Sequence, residues 1–338
     1  MPLSVRKKHS WQEALSDLIT DPKELLTLLE LDPALLEQAS LAARLFPLKV
    51  PRGFVARMEK GNVDDPLLKQ VLPLGLELEV SSAYTADPLA EKNANPLPGL
   101  LHKYHGRVLI TLTSACAIHC RYCFRRAFPY ENNNPSSKGL DKILAYINAD
   151  TAISEVILSG GDPLAVSDKF LQRFTDQLGL IKHVKRLRIH TRLPIVLPER
   201  VTTDFLQWID NLSLDKVCVV HANHPQEINE EVQTALLQLR KAGVTMLNQT
   251  VLLKGINDQV DVLAALSETL FSAGVLPYYL HVLDKVQGAG HFDLPRTEAM
   301  RLHHELTSRL PGYLVPRLAC EEPGAAAKTL LSTALYTG

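Results

Sequence analysis

Three of the five cysteines fall on one short stretch, Cys116-Ala-Ile-His-Cys120-Arg-Tyr-Cys123, a C-x3-C-x2-C spacing. An odd total suits a disulfide framework poorly, and clustered thiols in a reducing compartment point to metal or redox chemistry. Three thiolates can hold three irons of a cubane 4Fe–4S cluster and leave the fourth iron without a protein ligand, whereas electron-transfer clusters are usually held by four cysteines. An open iron is a site for chemistry. The competing reading is a structural zinc completed by His119 or a distant group. Adjacent ligands such as His119 and Cys120 are sterically awkward, and paired C-x2-C knuckles are missing, so the cluster is preferred. Cys218, inside the apolar run from Lys216 to Val220, and Cys320 read as small buried hydrophobes.

A second motif is Leu158-Ser159-Gly160-Gly161-Asp162-Pro163-Leu164. Its glycines allow backbone to approach a ligand closely, though the same residues can make a plain turn. Taken alone, Lys328, after Pro323-Gly324-Ala-Ala-Ala, is a surface lysine, and Arg125 in Arg125-Arg126 is a solvated arginine.

These residues must be positioned by something. From Arg107 onward, short apolar runs alternate with longer helical patterns, the signature of repeated strand–helix units and a parallel sheet. Strands are expected near 107–113, 155–159, 186–191, 216–221, 245–252, 277–282 and 314–319. Helices are expected near 137–149, 168–179, 203–210, 227–242, 260–273 and 296–309. The fold class is therefore α/β, a partial or full parallel (β/α) barrel more than a doubly wound sheet, with the polar motifs following the strands as a barrel active site requires. Residues 1–100 read as an N-terminal helical and wrapping segment, with amphipathic stretches at Ser10–Ile19, Pro22–Leu31 and Pro33–Leu45 and a proline-rich run from Pro47 to Leu100. Residues 101–338 read as the barrel core with the Lys328 segment at its end.

The 338 residues are 46% hydrophobic and 22% charged, an ordinary globular composition. With 36 Lys and Arg against 37 Asp and Glu, no basic field recruits nucleic acid or an anionic membrane. The basic start, Met1-Pro-Leu-Ser-Val-Arg-Lys-Lys-His, lacks the apolar core of a signal peptide, and no stretch approaches a membrane span. A cytoplasmic location is expected.

The cysteine loop, with Tyr122 just before its third cysteine, resembles the radical S-adenosylmethionine superfamily. The resemblance implies S-adenosylmethionine chelated to the open iron and cleaved by an electron from the cluster to give the 5′-deoxyadenosyl radical. Ser159, Gly160, Gly161 and Asp162 match the glycine-rich element that meets the methionyl amine. His221 and His224 are candidates for adenosine contact or satisfied core histidines.

From Tyr104-His-Gly-Arg107 through Lys328, about two thirds of the sequence, the chain is similar to the lysine 2,3-aminomutases. The matching run includes Cys123-Phe-Arg125-Arg126, His221-Ala-Asn-His224-Pro225, Asn248-Gln249, Pro277-Tyr278-Tyr279, Asp284 and Pro323 to Thr329. The resemblance implies pyridoxal phosphate held covalently by Lys328 and contacted by Tyr104, Arg107, Asn248 and Gln249. It implies Arg125 on the substrate α-carboxylate, where a planar fork suits bidentate binding, and Asp284 with Glu321 on the ε-ammonium. Glu321 stands where lysine-fermenting members have aspartate. The resemblance further implies a reaction in which the adenosyl radical takes hydrogen from the β-carbon of free L-lysine, nitrogen migrates, and (R)-β-lysine results. The chain ends ten residues after Lys328. With Leu101-His-Lys-Tyr-His105 and Tyr279-Leu-His-Val-Leu-Asp-Lys-Val-Gln-Gly288, it resembles the short bacterial form that makes β-lysine for elongation factor P. An electron donor and a lysyl-tRNA-synthetase-like ligase are the partners this implies. The rivals are a radical aminomutase for another amino acid, which would not need two distal carboxylates, and a non-catalytic iron–sulfur or zinc protein, which leaves Lys328 and the acids unexplained.

Overall fold

A computed structural model describes residues 10–331; residues 1–9, read above as no signal peptide, lie outside the described residues. Near the N-terminus, β1 (Leu18–Ile19) pairs antiparallel with β2 (Val50–Pro51). The helix expected at Ser10–Ile19 therefore stops at Ser16, where Asp17 closes it, and the last two residues become a strand.

A nine-stranded sheet runs in order from β3 (Leu100–Tyr104) through β4 (Arg107–Thr113), β5 (Glu155–Gly160), β6 (Arg186–Thr191), β7 (Asp215–Val220), β8 (Thr245–Val251), β9 (Leu276–His281) and β10 (Arg317–Cys320) to β11 (Thr329–Leu330). Strands β4 to β10 are mutually parallel. The edge strands β3 and β11 are antiparallel to their neighbours. Leu109, Ile157, Arg188, Val217, Leu247 and Tyr279, one from each strand from β4 to β9, line a single cavity, so the sheet curls around it. Strands β3 and β11 do not pair with each other among the described residues, and the barrel is partial.

Strand periodicity decides which residues face that cavity. Along β6, Leu187 and Ile189 are buried away from the cavity while Arg188 and His190 point into it. The helices were legible from their spacing: Asp168–Gly179 buries Leu171, Phe174, Thr175 and Leu178, one apolar stripe, and Ser167 caps it by accepting from the Phe170 N–H. The helix expected near 227–242 begins later, at Glu230, because Asn229 caps it and Pro225–Glu227 forms a separate turn. Strand β9 slips by one residue against β8 at Asn248 and Gln249, opposite Pro277, which has no N–H to give the ladder.

Two strands of the large sheet had no counterpart in the sequence reading. β3 forms a hairpin with β4, turning at His105-Gly106, where Gly106 takes a φ of 74°. β11 folds back on β10, which brings Lys328 beside Glu321.

The N-terminal segment is welded to this sheet. Trp11, Leu25 and Phe54 share one apolar cluster with Val156 and Leu187. Glu77 and Arg121 are fully buried and joined by two hydrogen bonds, at 2.6 and 2.7 Å, and Arg126 donates to the same carboxylate at 2.7 Å. Arg121 also donates to the Phe46 carbonyl at 2.7 Å. Residues 46–77 thus hold the cysteine loop in place.

Candidate active site

The cavity has a volume of about 850 Å³, at the upper end for small-molecule sites. Cys116, Cys120 and Cys123 line it as free thiols. Burial, then repulsion from Asp162 and the other two cysteines, raises the Cys116 thiol well above its usual value, and burial with repulsion from Cys120 pushes Cys123 up to about 11. Arg192 donates to the Cys120 sulfur at 2.6 Å, while its other nitrogen donates to Gln70 and Glu227. A guanidinium at a thiolate compensates the charge that three deprotonated cysteines bring. Among the described residues no three His, Cys, Asp or Glu side chains converge on a point suited to one metal ion. A cubane takes each sulfur at a different iron. His119 is occupied elsewhere: its Nδ1 lies 2.8 Å from the Pro47 carbonyl and its ring stacks on Phe46 at 4.9 Å. The donor set fits a three-cysteine cluster.

Beside this loop, Gly160 (φ 117°) lies so close to β4 that a side chain there would meet the Thr113 carbonyl at 2.7 Å, and one at Gly161 would meet the Ser114 carbonyl at the same distance. Both glycines let β5 pass under the start of the cysteine loop. Asp162 lines the cavity as well, and its carboxylate accepts from the Thr191 hydroxyl and from the Leu164, Arg192 and Leu193 N–H groups. It is spent on holding the loop after β6. Ser159 does face the cavity, and its hydroxyl accepts from Arg125 at 3.0 Å.

Asn248 is not among the residues that line the cavity. It sits on the outward face of β8, where its amide is consumed by the Ala222 backbone and Thr250; Gln249, one residue on, faces the cavity. Adjacent strand residues cannot both face inward. Tyr104 and Arg107 flank the β3–β4 turn and line the cavity, with the guanidinium 4.7 Å from the tyrosine ring.

Lys328 lies 2.9 Å from Glu321 and 5.7 Å from the centre of the Tyr279 ring. Burial alone would raise the Glu321 carboxyl, but Lys328, Lys103 and a 3.1 Å hydrogen bond from Tyr104 outweigh it and hold the group near 2. Asp284 is different. Burial, then repulsion from Glu321, pushes its carboxyl up to about 7. No hydrogen bond reaches that carboxyl among the described residues. The two acids share the cavity with unlike partners: Glu321 is already paired, Asp284 is open.

His221 also lines the cavity, with its Nε2 unpartnered, while His224 caps the Pro225–Glu227 turn through Nδ1 and is not part of the lining. The sequence reading passed over His190 and His281, which face the same space and likewise have unpartnered Nε2 atoms. Burial lowers all three, His221 to about 4 and His281 to about 3. They are neutral at pH 7, and so add no repulsion against a cationic guest. Alternation along β6 and β9 was the signal that could have found them. Arg192, Lys103 and Glu91 carried no comparable signal.

The radical SAM superfamily model matches residues 110–266. Over 337 residues the chain is 47% identical to L-lysine 2,3-aminomutase of Escherichia coli (strain K12), covering 98% of this chain and 97% of that protein. It is 47% identical over 326 residues to L-lysine 2,3-aminomutase of Haemophilus influenzae, covering 96% of each. To the protein of that name from Buchnera aphidicola it is 44% identical over 331 residues, covering 97% of each.

Proposed function

Because the chain belongs to the L-lysine 2,3-aminomutase family of radical S-adenosylmethionine enzymes, we propose that it converts free L-lysine to (R)-β-lysine, using pyridoxal phosphate on Lys328. It is an isomerase. The observation that carries the specific reading is the charge layout of one cavity, which holds a guanidinium (Arg125), a primary amine (Lys328) and an unpaired carboxyl (Asp284) together with three cysteines.

When bound, the cluster and S-adenosylmethionine supply the hydrogen-abstracting radical, and pyridoxal phosphate supplies the π-system for nitrogen migration. Cys116, Cys120 and Cys123 would hold the cluster, with Ser159, Gly160, Gly161 and His221 beside S-adenosylmethionine. Lys328, Tyr104, Arg107 and Gln249 would hold pyridoxal phosphate. Arg125 takes the substrate α-carboxylate, and Asp284 faces the ε-ammonium, with Glu321 contributing negative potential from beside Lys328. The curled sheet surrounds these groups and limits the access of water.

Residues 1–100 act as the wrapping segment of a core formed by 101–338. The product's use in β-lysylation of elongation factor P, through a lysyl-tRNA-synthetase-like ligase, rests on likeness to the short bacterial form, as do the electron donor and a cytoplasmic location. Anaerobic assay of reconstituted protein with free L-lysine, against L-glutamate, tests the substrate. β-Lysine formation supports the reading; preferential turnover of glutamate, or cluster loading with no aminomutase activity, overturns it.

A further inference from the structure

The Arg125 guanidinium does not stand free. Its Nε donates to Glu91 Oε2 at 2.9 Å and its Nη2 to Glu91 Oε1 at 2.8 Å, both residues being almost fully buried. Its Nη1 donates to the Ser159 hydroxyl at 3.0 Å, and its carbon lies 4.8 Å from the centre of the Phe124 ring. One edge of the fork is thus closed by a carboxylate and one N–H by a hydroxyl. An N–H remains on each Nη for a further carboxylate.

Glu91 is itself fixed. Its backbone N–H donates to Asp87 at 3.0 Å, and its Oε1 lies 3.7 Å from the Lys103 ammonium, which also donates to the Leu89 carbonyl. Earlier in the same segment, Thr85 is tied to the stretch after β9 by backbone hydrogen bonds with Lys285 and Gln287. Lys103 in turn lies 3.4 Å from Glu321, which reaches Lys328. Charges therefore alternate without a break along the cavity wall from Arg125 through Glu91, Lys103 and Glu321 to Lys328.

We infer that Glu91 is a positioning residue for substrate recognition: it locks the plane of Arg125 so that the remaining N–H groups meet the α-carboxylate of a free amino acid. The inference rests on the reading of Arg125 as the carboxylate site. The rival is that Glu91 occupies that site and must be displaced. The two differ in sign. A positioning residue, once removed, leaves lysine bound more weakly, whereas an occupant, once removed, leaves it bound more tightly.

The experiment compares L-lysine with L-lysinamide, which lacks the carboxylate, in reconstituted wild type, Glu91→Gln, Glu91→Asp and Arg125→Lys. Glu91→Gln should raise KM for lysine, and lower the preference for lysine over lysinamide, by roughly tenfold or more, since a charge-assisted bidentate geometry is lost. S-adenosylmethionine cleavage without lysine should change less than about twofold, and Glu91→Asp should restore part of the preference. A lower KM in Glu91→Gln overturns the inference in favour of displacement. An intact preference in Glu91→Gln, with loss in Arg125→Lys, overturns the inference alone; an intact preference in both overturns the Arg125 reading beneath it. Should Glu91→Gln fail to retain its cluster, Glu91→Asp decides: a preference equal to wild type reduces Glu91 to a structural residue.

Discussion

The Lys328 ammonium lies 2.9 Å from Glu321, and Tyr104 donates to the other oxygen of that carboxylate at 3.1 Å. The sequence resemblance assigned Glu321 to the distal end of the substrate, but its geometry serves the lysine first. A carboxylate held near 2 is ionised throughout the working range and orients the amine beside it. Borohydride treatment of the protein loaded with pyridoxal phosphate should fix the cofactor covalently in wild type and in Glu321→Asp, and not in Lys328→Ala. Glu321→Asp withdraws the charge by one methylene and should cut lysine turnover on the order of 10- to 100-fold with covalent loading retained. Loading of Lys328→Ala equal to wild type would remove Lys328 from its role.

The cysteine loop gives a separate test. Each of Cys116→Ala, Cys120→Ala and Cys123→Ala should lose the 4Fe–4S absorbance and stop 5′-deoxyadenosine formation, because three thiolates leave no spare ligand. Cys218→Ala, buried on the outward face of β7, should keep both. A cluster retained in full by any of the first three would take that cysteine out of the set.

Glu77 links residues outside the barrel to that loop. Removing one partner of a fully buried ion pair leaves the other charged and unpaired, a cost of about 3–5 kcal/mol. Glu77 faces two guanidiniums, Arg121 and Arg126. Glu77→Ala should therefore lower thermal stability and also reduce cluster content after reconstitution, although no atom of Glu77 belongs to the cavity lining. Unchanged cluster content and melting temperature would dissociate the wrapping segment from the loop.

Much of this was legible in the chain itself. The strand–helix alternation predicted the seven parallel strands because each apolar run is short and bounded by turn residues, and the three-cysteine spacing is local. What was not legible depends on tertiary closure. The β3 hairpin and β11 are edge strands defined by their partners, and Leu100–Tyr104 carries no clear alternation of its own. Asn248 and Gln249 are neighbours of similar chemistry, separated only by the direction of the strand pleat. Glu91 lies in a proline-rich stretch that reads as loop, and only the fold brings it across to Arg125. Asp162 is tied to the loop after β6 through residues about thirty positions later, a link that no local spacing shows.

Asp284 provides a test with opposite signs for activity and stability. Its carboxyl, raised to about 7 by burial and then by Glu321, is protonated in the empty enzyme at acid pH, and an ε-ammonium binds only the ionised form. The kcat/KM for lysine should rise with pH up to about 7 and level off above it, lying roughly tenfold below the plateau one unit beneath the pKa. Asp284→Asn should be low and flat over that limb. Stability moves the other way. A carboxyl whose folded pKa exceeds its ordinary value of 3.8 is accommodated without penalty below the ordinary value, and its ionisation costs stability increasingly as pH rises to the folded pKa. Asp284→Asn removes that cost, so the variant should match wild type near pH 4 and exceed it near pH 8, by on the order of a few kcal/mol. Excess lysine should narrow the gap at pH 8, since the substrate cation pairs the wild-type carboxylate alone. Equal unfolding curves for the two proteins at pH 8 would mean that Asp284 is not buried as an unpaired acid, and a pH limb retained in Asp284→Asn would assign it to another group.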